Sequence, residues 1–344
     1  MTLSAGKLWS IRRLADTSGR FKMTAVDQRP PIMDLVRRAR GTEAASYADV
    51  ASVKRALTRC LAAESSAMLL DPIWAYPESI AEVRHDQGLL VTLEDHEFED
   101  TPGGRRSRPI ADWSVAKIKR LGADGVKALV WYRPDADEGV RRHQHALVER
   151  LGEQCRRHDI CFLLELLVYP LPGDDAQTRD YVEFAAKRPA LVVDSVRDFA
   201  DPRLGIDILK LESPIPASEM PAHDEPGAEA CQTWFERLAE AAHVPWVMLS
   251  AGADMQQFER ILGYAYAAGA SGYLAGRAIW SRAAQHFPDV EAMCAELSTD
   301  AVAYMQRINT LTDVHARPWH THPSVSTPLA IEGAGRDFPR NYVA

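Results

Sequence analysis

Eight short apolar runs recur along the chain. They are FKMTAVDQ (21–28), SAMLLDP (66–72), GLLVTLED (88–95), GVKALVWY (125–132), ICFLLELLVY (160–169), DILKLESP (207–214), WVMLSAG (246–252) and GYLAGRAIW (272–280). Most lack the alternation of a strand with one wet face, and such unbroken runs fit strands covered on both faces of a parallel sheet. Stretches with helical spacing lie between them, among them SYADVASVKRALTRCLAAES and MQQFERILGYAYAAGA. Eight strand–helix repeats within about 250 residues predict a closed α/β structure, the (β/α)8 TIM barrel. An open doubly wound sheet would need a glycine-rich phosphate loop after its first strand, and here that strand runs into VDQRPP. The expected organisation is a single barrel over 1–310 and a C-terminal extension over 311–344. The extension has no clear period, yet Trp319, Leu329, Ile331 and Phe338 let it pack on the barrel or on a partner subunit.

Composition narrows the function classes. The net charge is −8 with no basic stripe, which argues against a nucleic-acid partner. The five cysteines, Cys60, Cys155, Cys161, Cys231 and Cys294, form no C-x-x-C pair. That is neither a disulfide framework nor a zinc knuckle, and it fits a reducing cytoplasm. No signal-type apolar region is visible, and no run nears the roughly 18 residues a bilayer span needs. The expectation is a cytoplasmic protein with a small-molecule partner and no membrane.

Barrel chemistry sits at the carboxyl ends of the strands, so the polar residues there are the candidates. The first strand supplies Asp27, Gln28 and Arg29; the second Asp71; the third Glu94 and Asp95, with His96 just after. The fourth carries Lys127, the fifth Glu165 and the sixth Lys210 and Glu212. A lysine inside DILKLESP is costly to bury unless it is paired or deprotonated. Lys210 is therefore either a structural ion-pair partner or an amine that burial and a second cation, Lys127, make nucleophilic toward a carbonyl. Glu165, inside FLLELLVY, is a partner for such a lysine, a general acid/base, or both.

The last two strands suggest an anion site. LSAGADMQQF reads as a strand, a small-residue turn and a helix whose N-terminal N–H groups can cradle an anion. LAGRAIW adds Gly276 and Arg277, which can give charge-assisted hydrogen bonds. A phosphate between the loops after strands seven and eight is a recurrent barrel arrangement. GGRRSR (103–108) reads as a flexible basic loop that either meets a second anionic end of a substrate or is simply solvated. The acidic run 94–100 and the WHTHP stretch of the tail are weak metal candidates, and no metal site is expected.

Together these segments resemble the class I tagatose-bisphosphate aldolase family and the related sulfofructose phosphate aldolase. The anchors are FKMTAVDQR, GADGVKALVWYRPDAD, FLLELLVYP, DILKLESP, PWVMLSAGADMQQF and AGASGYLAGRAIW, within residues 9–310. The resemblance implies Lys210 as the Schiff-base lysine, Glu165 as the proton-transferring group, Lys127 as a second active-site lysine, and Asp27 and Gln28 as contacts to sugar hydroxyls. It implies Ser250, Gly252, Gly276 and Arg277 as the site for the C1 phosphate of a ketose, with Arg29 or the 103–108 loop near C6. It further implies no cofactor beyond the covalent lysine imine, a homo-oligomer, and cleavage of a ketohexose 1-phosphate to dihydroxyacetone phosphate and a three-carbon aldehyde. The C6 group is left open between phosphate and sulfonate. A metal-dependent enzyme and a non-catalytic sugar-phosphate sensor on the same barrel are the other classes. The resemblance has three departures: the prolines of DQRPP, where a freer helix start is expected, the loop after strand six, IPASEMPAHDEPGAEACQ (215–232), which matches neither subgroup, and a tail longer than usual in the family.

Overall fold

The computed structural model describes residues 2–171, 174, 184, 186–325 and 327–342. Eight strands form the barrel: β1 (Phe21–Ala25), β2 (Ala67–Leu70), β3 (Gly88–Thr92), β4 (Gly125–Trp131), β5 (Cys161–Leu167), β6 (Ile208–Leu211), β7 (Trp246–Met248) and β8 (Gly272–Ala275). Each is parallel to its sequence neighbours, and β8 closes on β1. The helices are α1 (Ala5–Leu14), α2 (Pro30–Arg40), α3 (Tyr47–Leu61), α4 (Ala75–Ser79), α5 (Val115–Arg120), α6 (Glu138–Arg157), α7 (Pro189–Asp198), α8 (Ala228–Ala241), α9 (Met255–Ala267), α10 (Arg277–Ala284), α11 (Val290–Glu296) and α12 (Val302–His315). The largest apolar cluster fills the space between strands and helices, which is why the strands read as unbroken apolar runs.

Successive strand residues point to opposite faces, and this sets the layers inside the barrel. Leu163 joins an apolar layer at the amino end with Met23, Leu69, Leu90, Ile208, Val247 and Leu274. Two residues on is Glu165, and two beyond that Leu167 joins Leu129, Trp131, Tyr169 and Leu249 near the mouth. Lys127 and Lys210 fall at the same depth by the same count, since Lys127 precedes Leu129 and Lys210 follows Ile208. The charged residues thus form a layer between two apolar ones.

Three boundaries differ from those the sequence suggests. The run 272–280 is strand only to Ala275; a helix begins at Arg277. Pro30 and Pro31 occupy the first turn of α2, where the missing N–H groups cost nothing and the fixed φ suits the helix, so DQRPP is a helix start. The extension begins after residue 315, because α12 carries helix across 311. It packs on this chain's own barrel: Trp319 and Val325 enter the amino-end layer beside Ile11 and Leu14 of α1, and Ile331 bridges to Leu3.

Candidate active site

The charged layer is organised around one ammonium. Lys127 Nζ lies 2.7 Å from Glu94 Oε1, 2.9 Å from Asp27 Oδ2 and 2.9 Å from Glu165 Oε2. The first two are hydrogen bonds. The third lacks hydrogen-bond direction and leaves Glu165 Oε2 otherwise unpartnered, so that contact is Coulombic. The other Glu165 oxygen, Oε1, is 3.0 Å from Lys210 Nζ. Register explains this pairing: Glu165 and Lys210 are direct cross-strand partners on β5 and β6. One carboxylate therefore bridges the two lysines, and the second cation expected directly beside Lys210 is separated from it by Glu165.

Thr92 Oγ1 donates to Asp27 Oδ2 at 3.0 Å, and Arg29 Nη2 donates to the Glu94 carbonyl at 3.1 Å and reaches Glu94 Oε1 at 3.4 Å. Burial works against ionising Asp27, but Lys127, Lys210 and Arg29 outweigh it and hold this carboxyl well below its usual range. In Glu94 burial prevails over Lys127 and Arg29, and the carboxyl pKa is raised. Two acids on one ammonium thus have opposite tendencies, the pattern by which a site keeps one carboxylate ionised and another ready to hold a proton.

Above this layer a cleft of about 670 Å³, counted to its open mouth, is lined by Asp27, Gln28, Arg29, Glu94, Glu165 and Lys210 on its charged side. Ser250, Ala251, Gly276 and Arg277 line another part, and Trp131, Leu167, Phe184 and Leu249 supply apolar wall. Lys127 is only 1 % exposed and lies beneath the lining. The turn after β7 is tight: Ala251 has φ 47° and Gly252 φ 100°. A non-glycine at such a φ costs on the order of 1–3 kcal/mol, a strain found most often at functional turns. Gly252 packs against the Arg277 guanidinium, where an added Cβ would come within 3.4 Å of Nη1. At Gly276 an added Cβ would sit 2.6 Å from the Ala25 carbonyl oxygen, a backbone atom that cannot give way, so only glycine fits.

The sequence suggests an anion cradle that includes the N-terminus of α9. The N-terminus of α9 is closed by its own capping box, with Asp254 accepting from the Gln257 N–H at 2.8 Å and Gln257 accepting from Asp254 N–H at 3.0 Å. The helix that opens on the cleft is α10, which starts at Arg277 with no side-chain cap on Gly276. Its first turn and the 250–252 turn flank Arg277.

The 103–108 segment is also different. It forms a hairpin, with Glu99–Thr101 antiparallel to Gly104–Arg106. Arg105 is buried with its guanidinium 4.4 Å from Phe98, 4.8 Å from Trp131 and 5.0 Å from Tyr169. Arg108 pairs with Asp95 and Glu97. The segment contributes no lining to the cleft; it braces Trp131, which does.

The ten residues to which the sequence assigns site roles come together here, eight of them on the cleft wall, with Lys127 below it and Gly252 under Arg277, whereas Asp71 and Asp95, also at strand ends, do not line the cleft. Glu94 stood at a strand end without a role; the alternation Leu90, Thr92, Glu94 was the signal that it points inward. Glu212 also lines the cleft, tied to Lys187 at 2.9 Å and to the Val168 N–H at 2.7 Å. Lys187 is 25 residues from Glu212 in sequence, and nothing local announces that pair. His96 lines the cleft too, its pKa lowered by burial and by Arg29.

Comparison with known proteins fits this geometry. The family model described as DeoC/LacD family aldolase matches residues 22–282. Tagatose 1,6-diphosphate aldolase 2 of Enterococcus faecalis is 31% identical over 334 residues, covering 95% of this chain and 99% of its own. Tagatose 1,6-diphosphate aldolase 1 of Streptococcus mutans is 30% identical, covering 93% and 99%. Coverage of 95% reaches past residue 310 into the tail, so the similarity extends beyond the 9–310 stretch. Among solved structures, fructose-bisphosphate aldolase from Plasmodium falciparum superposes with TM-score 0.67 at 11% identity over 92% of this chain and 98% of its own. A Schiff-base-forming fructose-1,6-bisphosphate aldolase does so with TM-score 0.54 at 15% identity over 89% and 99%. These two confirm the barrel, and the sequence match supplies the family: the chain is an aldolase belonging to the DeoC/LacD family.

Proposed function

We propose that this aldolase works through a lysine imine and cleaves a ketohexose 1-phosphate of the tagatose 1,6-bisphosphate type to dihydroxyacetone phosphate and glyceraldehyde 3-phosphate. The observation that carries the reading is Lys210: its amine borders the cleft and lies 3.0 Å from a carboxylate that does the same. The relatives named above carry the tagatose activity in their names.

In this reading the Lys210 nitrogen attacks C2 of the ketose. The oxygen leaves as water after taking a proton from Glu165, and an iminium forms. The iminium is an electron sink, so removing the C4 hydroxyl proton lets the C3–C4 pair flow into it; the aldehyde departs and an enamine remains. Protonation at C3 and hydrolysis release dihydroxyacetone phosphate and restore Lys210. Glu165 is the group placed to shuttle the protons, touching Lys210 with one oxygen. Asp27, held ionised, is the second acceptor for sugar hydroxyls, with Gln28 beside it. Lys127 positions the acids rather than the substrate. Ser250, Gly252, Gly276 and Arg277 bind the C1 phosphate, and Arg29 faces the distal substituent. The iminium supplies the electron withdrawal that a Lewis acid provides in metal-dependent aldolases, so no metal is required.

The test is turnover of tagatose 1,6-bisphosphate in EDTA, coupled to reduction of dihydroxyacetone phosphate. Activity that persists in EDTA and vanishes in Lys210→Met supports the reading. EDTA-sensitive activity would refute it, and no turnover of any ketose 1-phosphate would leave a sensor. Parallel assay of 6-deoxy-6-sulfofructose 1-phosphate decides the C6 group.

A further inference from the structure

The five cysteines divide into two kinds. Cys155, Cys161 and Cys231 are buried. Burial pushes the Cys231 thiol up to about 11 and the other two higher still. Burial and the Cys294 thiol raise the Cys60 pKa as well, but Cys60 and Cys294 are half-exposed, and they are neighbours. Cys60 is near the end of α3 and Cys294 is in α11, two helices packed against each other. The two thiols are within hydrogen-bonding reach of one another. Arg59 Nη2 lies 3.1 Å from Cys294 Sγ, and the same guanidinium reaches Cys60. Ser298 contacts Cys60 from a π-helical turn, 297–301, that follows α11.

This arrangement has no part in the aldol chemistry. Two thiols and a guanidinium at the surface are what thiol oxidation needs, because the attacking and departing sulfurs both carry negative charge. We infer that Cys60 and Cys294 are a redox modification site, closed to a disulfide by a peroxide and reopened by a thiol reductant. One thiolate attacks the peroxide O–O bond, giving a sulfenic acid and releasing water once protonated. The second thiolate attacks the sulfenic sulfur and expels a second water. The pair loses two electrons and two protons, and the peroxide takes them.

The test is exposure of the full chain to hydrogen peroxide, then alkylation and peptide mass mapping without reductant. The expected product is one cross-linked pair of peptides containing Cys60 and Cys294, with the other three thiols still alkylated after unfolding. The cross-link disappears on dithiothreitol treatment and is absent in Cys60→Ser and Cys294→Ser. Arg59→Met, which leaves both thiols in place, forms it severalfold more slowly. A stable sulfinic acid at either cysteine without cross-linking, or a cross-link through a buried cysteine, overturns the proposal. The readout is mass rather than turnover, so failure of the proposed aldol mechanism would not affect it.

Discussion

Lys54 and Lys210 are both lysines buried in the same barrel, and only one of them is placed for chemistry. Lys54 on α3 is completely enclosed; its amine donates to the Val26 carbonyl at 2.8 Å and pairs with Asp71. Asp71 in turn accepts from the N–H groups of Ile73, Trp74 and Ala75. That lysine staples α3 to the end of β1 and does not line the cleft. Lys210 is 4 % exposed, and its ion-pair partner Glu165 opens, with it, onto the cleft. Lys7 with Asp207 and Lys187 with Glu212 are further buried pairs. Burial of an ammonium is thus common in this fold, and what separates a nucleophile from a staple is whether the amine borders space a substrate can enter.

The sharpest way to break this comparison is to remove each amine. Lys210→Met is expected to lower kcat by about 10⁴-fold or more, while Glu165 keeps Lys127 and the unfolding free energy stays within about 1.5 kcal/mol of the parent. Lys54→Met should do the reverse. Stripping one partner from a buried pair costs about 3–5 kcal/mol, and the protein that remains folded should turn over within a few-fold of the parent. Chemical denaturation and steady-state kinetics on the two variants check both halves.

Smaller effects follow around the cleft. Glu165→Gln keeps the shape but cannot carry a proton and should cost about 10²–10⁴ in kcat. Arg277→Gln should act mainly through KM. Losing a charge-assisted hydrogen bond of about 1.5–3 kcal/mol amounts to roughly a 10- to 150-fold fall in kcat/KM. By contrast Asp254→Ala removes the α9 cap, which should cost about 1 kcal/mol of stability and leave KM unchanged, because α10 is the helix that opens on the cleft.

The two acids on Lys127 give a pH test. The Asp27 pKa is lowered from its ordinary 3.8, so its contribution to stability is present above about that pH and is lost as pH falls through the folded value. Glu94 is raised from 4.5, so the protonated acid is favoured in the fold and stability is lost as pH rises from there through its folded value. Asp27→Asn should therefore be more destabilising at pH 7 than at pH 3, and Glu94→Gln less destabilising at pH 7 than at pH 4. Urea titrations at these pH values read the two slopes.

The sequence made the barrel legible because buried parallel strands are dense apolar runs, several of them with a polar exception. Four of those exceptions, Asp27, Lys127, Glu165 and Lys210, belong to the charged layer. Ser250, Gly276 and Arg277 were legible for a different reason, small residues beside a cation at strand ends. What sequence could not supply was depth and pairing. It did not show that Lys127 lies below the cleft, that Glu165 stands between the lysines, or that Asp254 spends the α9 terminus on its own cap. The hairpin at 99–106 was hidden because its strands are polar and three residues long, and its order comes from Arg105 among the adjacent Phe98 ring and two rings, Trp131 and Tyr169, from distant segments. Glu94 was readable by parity alone.

The most direct test of the central claim is to incubate the protein with dihydroxyacetone phosphate, reduce with borohydride and locate the adduct by peptide mass analysis. The account predicts a single reduced adduct on Lys210, absent in Lys210→Met, with Lys127 and Lys54 unmodified. An adduct on Lys127, or none under conditions where the enzyme turns over, would contradict it.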